Sequence, residues 1–224
     1  MDRRLWLMGD LFKKMNVLEA ICTRTSCRCF KEKPVSDEDL AKVLEAGVKA
    51  PTAHNTQAYK LVVVKDSQVK EISEKILEEL SLYSKYGLPL GSAKRSARIL
   101  RDAPVNIFVF IKKNSFFRLD EVMFDFPDEY KKYVSDQNEI QSIISAGTVI
   151  ENMLLEAEEL NLGAVCISEI TYAKDFCNKY FDGVIDMNEY EFASSVALGY
   201  REDVLYPKAK KKGIDELVVT MWEK

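Results

Sequence analysis

The sequence predicts a mixed fold in which helices pack against a sheet of buried strands, and three observations carry that expectation. Two runs of β-branched and aromatic residues, Tyr59 to Lys65 (YKLVVVK) and Val105 to Ile111 (VNIFVFI), have the length and composition of strands buried on both faces. A stretch from about Asn138 to Leu160 places Ile140, Ile143, Ile144, Gly147, Ile150, Met153, Leu154 and Ala157 on one wide apolar stripe, the mark of a central and mostly buried helix. No glycine-rich turn follows any strand, which excludes a GxGxxG dinucleotide site and a P-loop.

The remaining elements follow in chain order. Met15 before NVLEA would also serve as a start, so residues 1–14 read as an accessory extension whose Leu5, Trp6 and Phe12 need a surface to cover. Residues 16–23 form a short helix with Asn16 as its N-cap. Ser36 and Asp39 have capping-box spacing, and Leu40, Val43, Leu44 and Gly47 share one face of the helix that Pro51 ends. Thr52 to Gln57 is then a loop. Helical spacing returns at Val69, Ile72, Ile76 and Leu80 and breaks at Gly87, Pro89 and Gly91; a basic segment, AKRSARILR, leads to Ala103-Pro104. Residues 112–137 read as irregular and rich in aromatics (Phe116, Phe117, Phe124, Phe126, Tyr130, Tyr133), either a lid over a site or the packing of a satellite core. Asn161 and Gly163 stop the long helix. A short strand AVCIS, a helix near Tyr172 to Tyr180, a strand Phe192 to Tyr200, a basic PKAKKK stretch and a mixed segment from Gly213 complete the chain, which reads as one domain over 15–224.

Composition narrows the function. Of 224 residues 47% are hydrophobic, enough to bury a sizeable core. With 32 basic and 36 acidic side chains the net charge is −4, so no global basic field argues for nucleic acid. Five cysteines without CxxC spacing, beside a single histidine, make a poor metal framework and read as reduced cytoplasmic thiols. The first residues lack a signal peptide's apolar core, and no apolar stretch is long enough to span a membrane.

Three clusters carry candidate chemistry. Arg24 to Arg28 (RTSCR) packs two guanidiniums and two hydroxyls into five residues, a set that binds oxyanions or simply meets water. Asn55 and Gln57 offer both donors and acceptors, as the edge of a heterocycle requires, though loop amides are common. Lys208, Lys210, Lys211 and Lys212 form either a solvated run or one wall of a phosphate pocket. His54 lies beside the amides and is more readily a packed or exposed loop residue than a general base.

In this order the clusters resemble the nitroreductase family of FMN-dependent oxidoreductases. The likeness spans roughly residues 16–220 and rests on RTSCRCF, then PVSDEDLAKVLEAGVKAPTAHNTQ, RDAPVNIFVFI, AGTVIENMLLEAEELNLGAVCIS, and VALGY before PKAK. The resemblance implies an α+β fold, a central mixed or antiparallel sheet flanked by helices, formed as an intertwined homodimer with FMN at two interface sites. It implies that Arg24, Thr25, Ser26 and Arg28 hold the phosphate and ribityl chain together with Lys208 and Lys210. Pro51, Thr52, Ala53, Asn55 and Gln57 would approach the ring from the partner subunit, and the backbone around Ser168 and Glu169 would face flavin N5. The implied activity is hydride passage from NADH or NADPH through the flavin to a nitroaromatic, quinone or similar conjugated small-molecule acceptor, in two half-reactions at one site. Reductive dehalogenation, biosynthetic dehydrogenation and flavin binding without catalysis are the alternatives, with nucleic-acid binding a distant outsider. Thr52, Ala58, Tyr59 and the Ser168-Glu169 pair depart from the family's usual Ser, Pro, Trp and Gly, and residues 81–137 match only through RDAPVNIFVFI, marking them as the variable substrate region.

Overall fold

A computed structural model describes residues 15–113, 127–204 and 210–220. Four strands, β1 (Tyr59–Lys65), β2 (Val105–Lys112), β3 (Leu162–Ile167) and β4 (Tyr190–Tyr200), form an antiparallel sheet in the order β1-β2-β4-β3. The helices are α1 (Val17–Thr23), α2 (Asp37–Val48), α3 (Ser67–Leu82), α4 (Gly91–Asp102), α5 (Asp128–Glu159), α6 (Lys174–Phe181) and the single turn α7 (Ile214–Leu217). Helices α2 and α5 cover one face of the sheet; α3, α4 and α6 cover the other. The α+β expectation with an antiparallel sheet holds.

Strand β2 shows why the sheet has two apolar faces. Its alternate residues Ile107, Val109 and Ile111 join the core under α5, while Phe108 and Phe110 point the other way. There the Phe108 ring lies 4.9 Å from Phe181 and Phe110 lies 5.7 Å from Phe192, tilted or edge-on as aromatic quadrupoles prefer. Buried Asn106 ties the end of α4 to β2 by donating to Leu100 O at 2.9 Å.

Helix starts follow the sequence closely. Asn16 and Glu19 form a reciprocal capping box, and Ser36 Oγ accepts from the Asp39 N–H at 3.0 Å. Gly47 is where α2 meets α5, because a Cβ there would stand 2.8 Å from Met153 Cγ.

Several expectations need correction. Among the described residues strand β1 pairs only with β2, at the edge of the sheet, and its middle is half-buried rather than enclosed on both faces. The AKRSARILR segment is helical: Ala93, Ala97 and Leu100 form a narrow buried stripe that the small alanines conceal beneath a basic composition. Helix α5 begins ten residues before the expected start, at Asp128, with Pro127 as N-cap and Asp128 and Glu129 suiting its first turn. Tyr130 and Tyr133 therefore belong to a helix, not an irregular segment. Ile140, Ile143 and Ile144 are 51%, 53% and 62% exposed, so only the C-terminal half of α5 is the buried helix expected. The expected helix near Tyr172 to Tyr180 is present as α6, and only its start differs, because a 3-10 turn, Glu169–Ala173, leads into it. Residues 1–14, Phe116, Phe117, Phe124, Phe126 and Lys208 lie outside the described residues.

All five cysteines are free thiols. Cys27 and Cys177 are buried, and burial pushes the Cys177 thiol up to about 12, which leaves it an inert packing group.

The RTSCR stretch leaves α1 extended and lies along edge strand β3. Ser26 bridges Ala164 in parallel, the Cys27 N–H donates to Ala164 O at 3.1 Å, and the Lys31 N–H donates to Tyr200 O at 2.8 Å. This apposition needs Gly163, since a Cβ there would meet Cys27 Sγ at 2.5 Å and Arg201 Cγ at 2.7 Å. Arg201 locks the same corner: it donates to Leu162 O at 2.9 Å through Nη2 and pairs with buried Glu158 of α5. Gly163→Ala should therefore lower unfolding stability by about 1 to 3 kcal/mol, measured by urea denaturation, whereas Gly147→Ala, on the exposed side of α5 with open space at its Cβ, should raise it by about 0.5 to 1 kcal/mol.

Candidate functional site

The extended backbone at RTSCR sends its two guanidiniums in different directions. Arg24, half-buried at the end of α1, places Nε 3.7 Å from Glu151 on α5. Arg28 is exposed, and its one hydrogen bond among the described residues is a 3.4 Å contact from Nη1 to Ser26 O. It forms one wall of a cavity of about 360 Å³. Helix α4 contributes Ser92, Arg95, Ser96 and Ile99 to its lining, and the end of β3 with Ser168 and Glu169 contributes the rest. Two guanidiniums and one carboxylate thus line the cavity, and the Ser96 hydroxyl donates to Glu169 Oε2 at 3.1 Å.

Ser168 also touches a second cavity of about 380 Å³, across the sheet edge between α5 (Ile143, Gly147, Ile150) and β4 (Phe192, Ser194). Beside it, Cys166 Sγ lies 3.4 Å from Ser194 Oγ.

The loop after Pro51 is built differently. His54, Asn55 and Gln57 all adopt left-handed backbone, with φ of 48°, 54° and 47°. Such conformations cost non-glycine residues and persist where surroundings dictate them. Here α5 dictates them. Thr148 Oγ1 donates to Pro51 O at 2.8 Å, and the Ala53 N–H donates to Ser145 Oγ at 3.1 Å, which itself donates to Gln141 O at 2.8 Å. Thr52 closes the turn by accepting from the Gln57 N–H at 3.1 Å. The side chains of Asn55 and Gln57 remain exposed, touching each other at 3.5 Å. Pro51, Thr52, Ala53 and His54 line a third cavity of about 440 Å³ with Gln141, Ile144, Ser145 and Thr148.

The expected site residues thus fall into separate groups. Arg28, Ser168 and Glu169 share the first cavity; Pro51, Thr52 and Ala53 share the third; Arg24, Thr25, Ser26, Asn55 and Gln57 line none of the three. Lys210 is exposed, with no partner among the described residues. Residues that the sequence reading passed over are Ser92, Arg95 and Ser96 on α4 and Gln141, Ser145 and Thr148 on α5. Their signal was a polar face at helical spacing, overlooked in α4 because that segment was not read as a helix.

Among the described residues, no group of three or more His, Cys, Asp or Glu side chains is placed to hold a metal, and no helix is long and apolar enough to cross a membrane. The model of the nitroreductase family matches residues 21–200. This chain is a member of the nitroreductase family. It is 27% identical over 187 residues to an Archaeoglobus fulgidus protein named as a candidate NADH dehydrogenase/NAD(P)H nitroreductase, covering 83% of this chain and 86% of that one. The structure of a BluB-like flavoprotein from Clostridium difficile 630 superposes with a TM-score of 0.74 at 27% identity, covering 92% of this chain and 99% of that chain. A nitroreductase with bound FMN from Desulfitobacterium hafniense DCB-2 shares the fold at a TM-score of 0.64 and 22% identity, covering 92% and 99%.

In this nitroreductase-family chain, the strained loop depends on Ser145, which is 6% exposed. Ser145→Ala should strand the Ala53 N–H and cost about 1 to 3 kcal/mol. Hydrogen exchange should show that amide losing its protection while the β2 and β4 amides keep theirs.

Proposed function

We propose that this chain is an FMN-dependent NAD(P)H oxidoreductase whose acceptor is a nitroaromatic, quinone or similar conjugated compound. The carrying observation is that the Arg28 cavity joins cations and hydroxyls to a polar strand end, while Pro51, Thr52 and Ala53, at the start of the loop that bears Asn55 and Gln57, line a different cavity of the same chain. A second copy of the chain would bring the two together. FMN is a phosphate dianion on a flat amide-edged ring, and this donor set fits both ends of it.

In this reading Arg24, Thr25, Ser26 and Arg28, with Lys208 and Lys210, hold the phosphate and ribityl chain. Glu151 is a weak competitor for Arg24, because the pair is long and partly exposed. Backbone groups at Ser168 and Glu169 orient the ring, and Pro51, Thr52, Ala53, Asn55 and Gln57 of the second copy close its other side. When bound, FMN supplies reversible hydride chemistry. The chain itself supplies position, an anion-compensating field and an open face for donor and acceptor in turn, all within a single domain over 15–224.

The homodimer has its own support. Val17, Leu18 and Ile21 of α1 are 71%, 69% and 55% exposed and join Ile140, Ile143 and Ile144 of α5 as unburied large apolar side chains. Covering what remains exposed of each would contribute about 1 to 2 kcal/mol.

A second reading keeps the flavin and changes the reaction to a reductive dehalogenation or a biosynthetic dehydrogenation. Glu169 favours it, as a carboxylate facing the cavity could move a proton that simple hydride transfer does not need. Steady turnover of a nitro compound at the rate of NAD(P)H oxidation would argue against it.

Two variants test the proposal. Arg28→Gln should weaken FMN uptake by roughly tenfold or more, as loss of a charge-assisted bond to phosphate implies, when apoprotein is titrated by flavin fluorescence. The pair Leu18→Glu with Ile140→Glu should sediment as single chains and lose FMN while keeping the parent's circular dichroism. Single-chain parent protein that binds FMN fully would contradict the two-copy site.

A further inference from the structure

Helix α4 carries a polar face that the family motifs do not include. Ser92, Arg95 and Ser96 stand at spacings of three and four residues, with Ile99 one turn further on, and all four turn toward the Arg28 cavity. The helix is held in place from behind, because Ala93, Ala97 and Leu100 are fully buried against the core. Its other cations are engaged or lie off the cavity: Lys94 donates to Ser84 Oγ at 2.7 Å, Arg101 pairs with Asp102 at 2.8 Å, and Arg98 does not line it. Arg95 has no hydrogen-bond or ion-pair partner among the described residues.

The charge in the cavity is unbalanced. Arg28 and Arg95 both line it, and the one carboxylate among the described lining residues, Glu169, already accepts from Ser96. Two guanidiniums aimed into one volume repel each other unless an anion lies between them, and their forked donors match the oxygens of phosphate. The Ser92 hydroxyl, with no hydrogen-bond partner among the described residues, adds a further donor.

We propose that Arg95 and Ser92 on α4, with Arg28, form a recognition site for a phosphate monoester. The inference rests on the flavin reading of this cavity and extends it to a wall that reading does not use. The phosphate has two possible sources, that of FMN itself or the 2′-phosphate that distinguishes NADPH from NADH.

Arg95→Gln separates the sources. Arg95 is exposed and its replacement leaves the buried side of α4 untouched, so the variant should fold. Apoprotein is titrated with FMN and with riboflavin by isothermal calorimetry, and kcat/KM is measured with NADPH and with NADH. Loss of roughly tenfold in FMN affinity with riboflavin unchanged assigns the site to the flavin's phosphate. A drop of that size in the NADPH over NADH ratio, at unchanged FMN affinity, assigns it to the donor. Arg95→Lys should recover part of either loss. If the parent takes up FMN and is reduced by NAD(P)H, yet both ratios stay within twofold in Arg95→Gln, this inference alone is overturned. A parent that takes up no FMN overturns the flavin reading and this inference with it.

Discussion

The pairing of RTSCR with edge strand β3 is the constraint on which the candidate site depends. An edge strand presents unpaired backbone groups that must be satisfied, and here the Cys27 N–H meets Ala164 O while Ser26 bridges the same residue. The geometry works because position 163 has no side chain and because Cys27 is small enough to bury in its place. With the stretch fixed, Arg28 lines one cavity with α4 and the last residues of β3. The Arg201 contacts to Glu158 and Leu162 brace the junction from the α5 side.

Helix α5 does the complementary work. Its C-terminal half is a core helix, with Val149, Met153 and Ala157 fully buried. Its middle, from Ile140 to Thr148, divides its surface between a polar row, Gln141, Ser145 and Thr148, and exposed isoleucines. The polar row holds the loop from Pro51 in a strained conformation by bonding its backbone. The isoleucines leave apolar area that the rest of the described residues do not cover. One helix therefore sets the loop's shape and offers a surface for a second copy, which is why the two half-sites and the proposed dimer belong to a single argument.

Much of this was legible in the sequence. The near-continuous apolar run in VNIFVFI, the caps at Asn16 and Ser36 and the stop at Asn161-Gly163 were local signals, and local physics was enough to place them. The edge position of β1 was not legible, because YKLVVVK has the same composition whether one neighbour or two pair with it. Helix α4 was hidden for a different reason: alanines supply its buried stripe, so its hydrophobic period is faint beneath the arginines. The long helix extends into a polar turn whose only marks are Pro127 and two acids. At the site, RTSCR and the amide loop could be found by residue type, and Arg95 and Ser145 could not, since their roles come from which elements the fold lays across from them.

The most direct measurement is the visible absorption spectrum of the purified protein, recorded anaerobically before and after NADH or NADPH. Flavin bands that bleach on adding either nucleotide and return with a nitroaromatic or quinone are the expected result. Protein that stays colourless after incubation with FMN, or a bound flavin that neither nucleotide reduces, would contradict it.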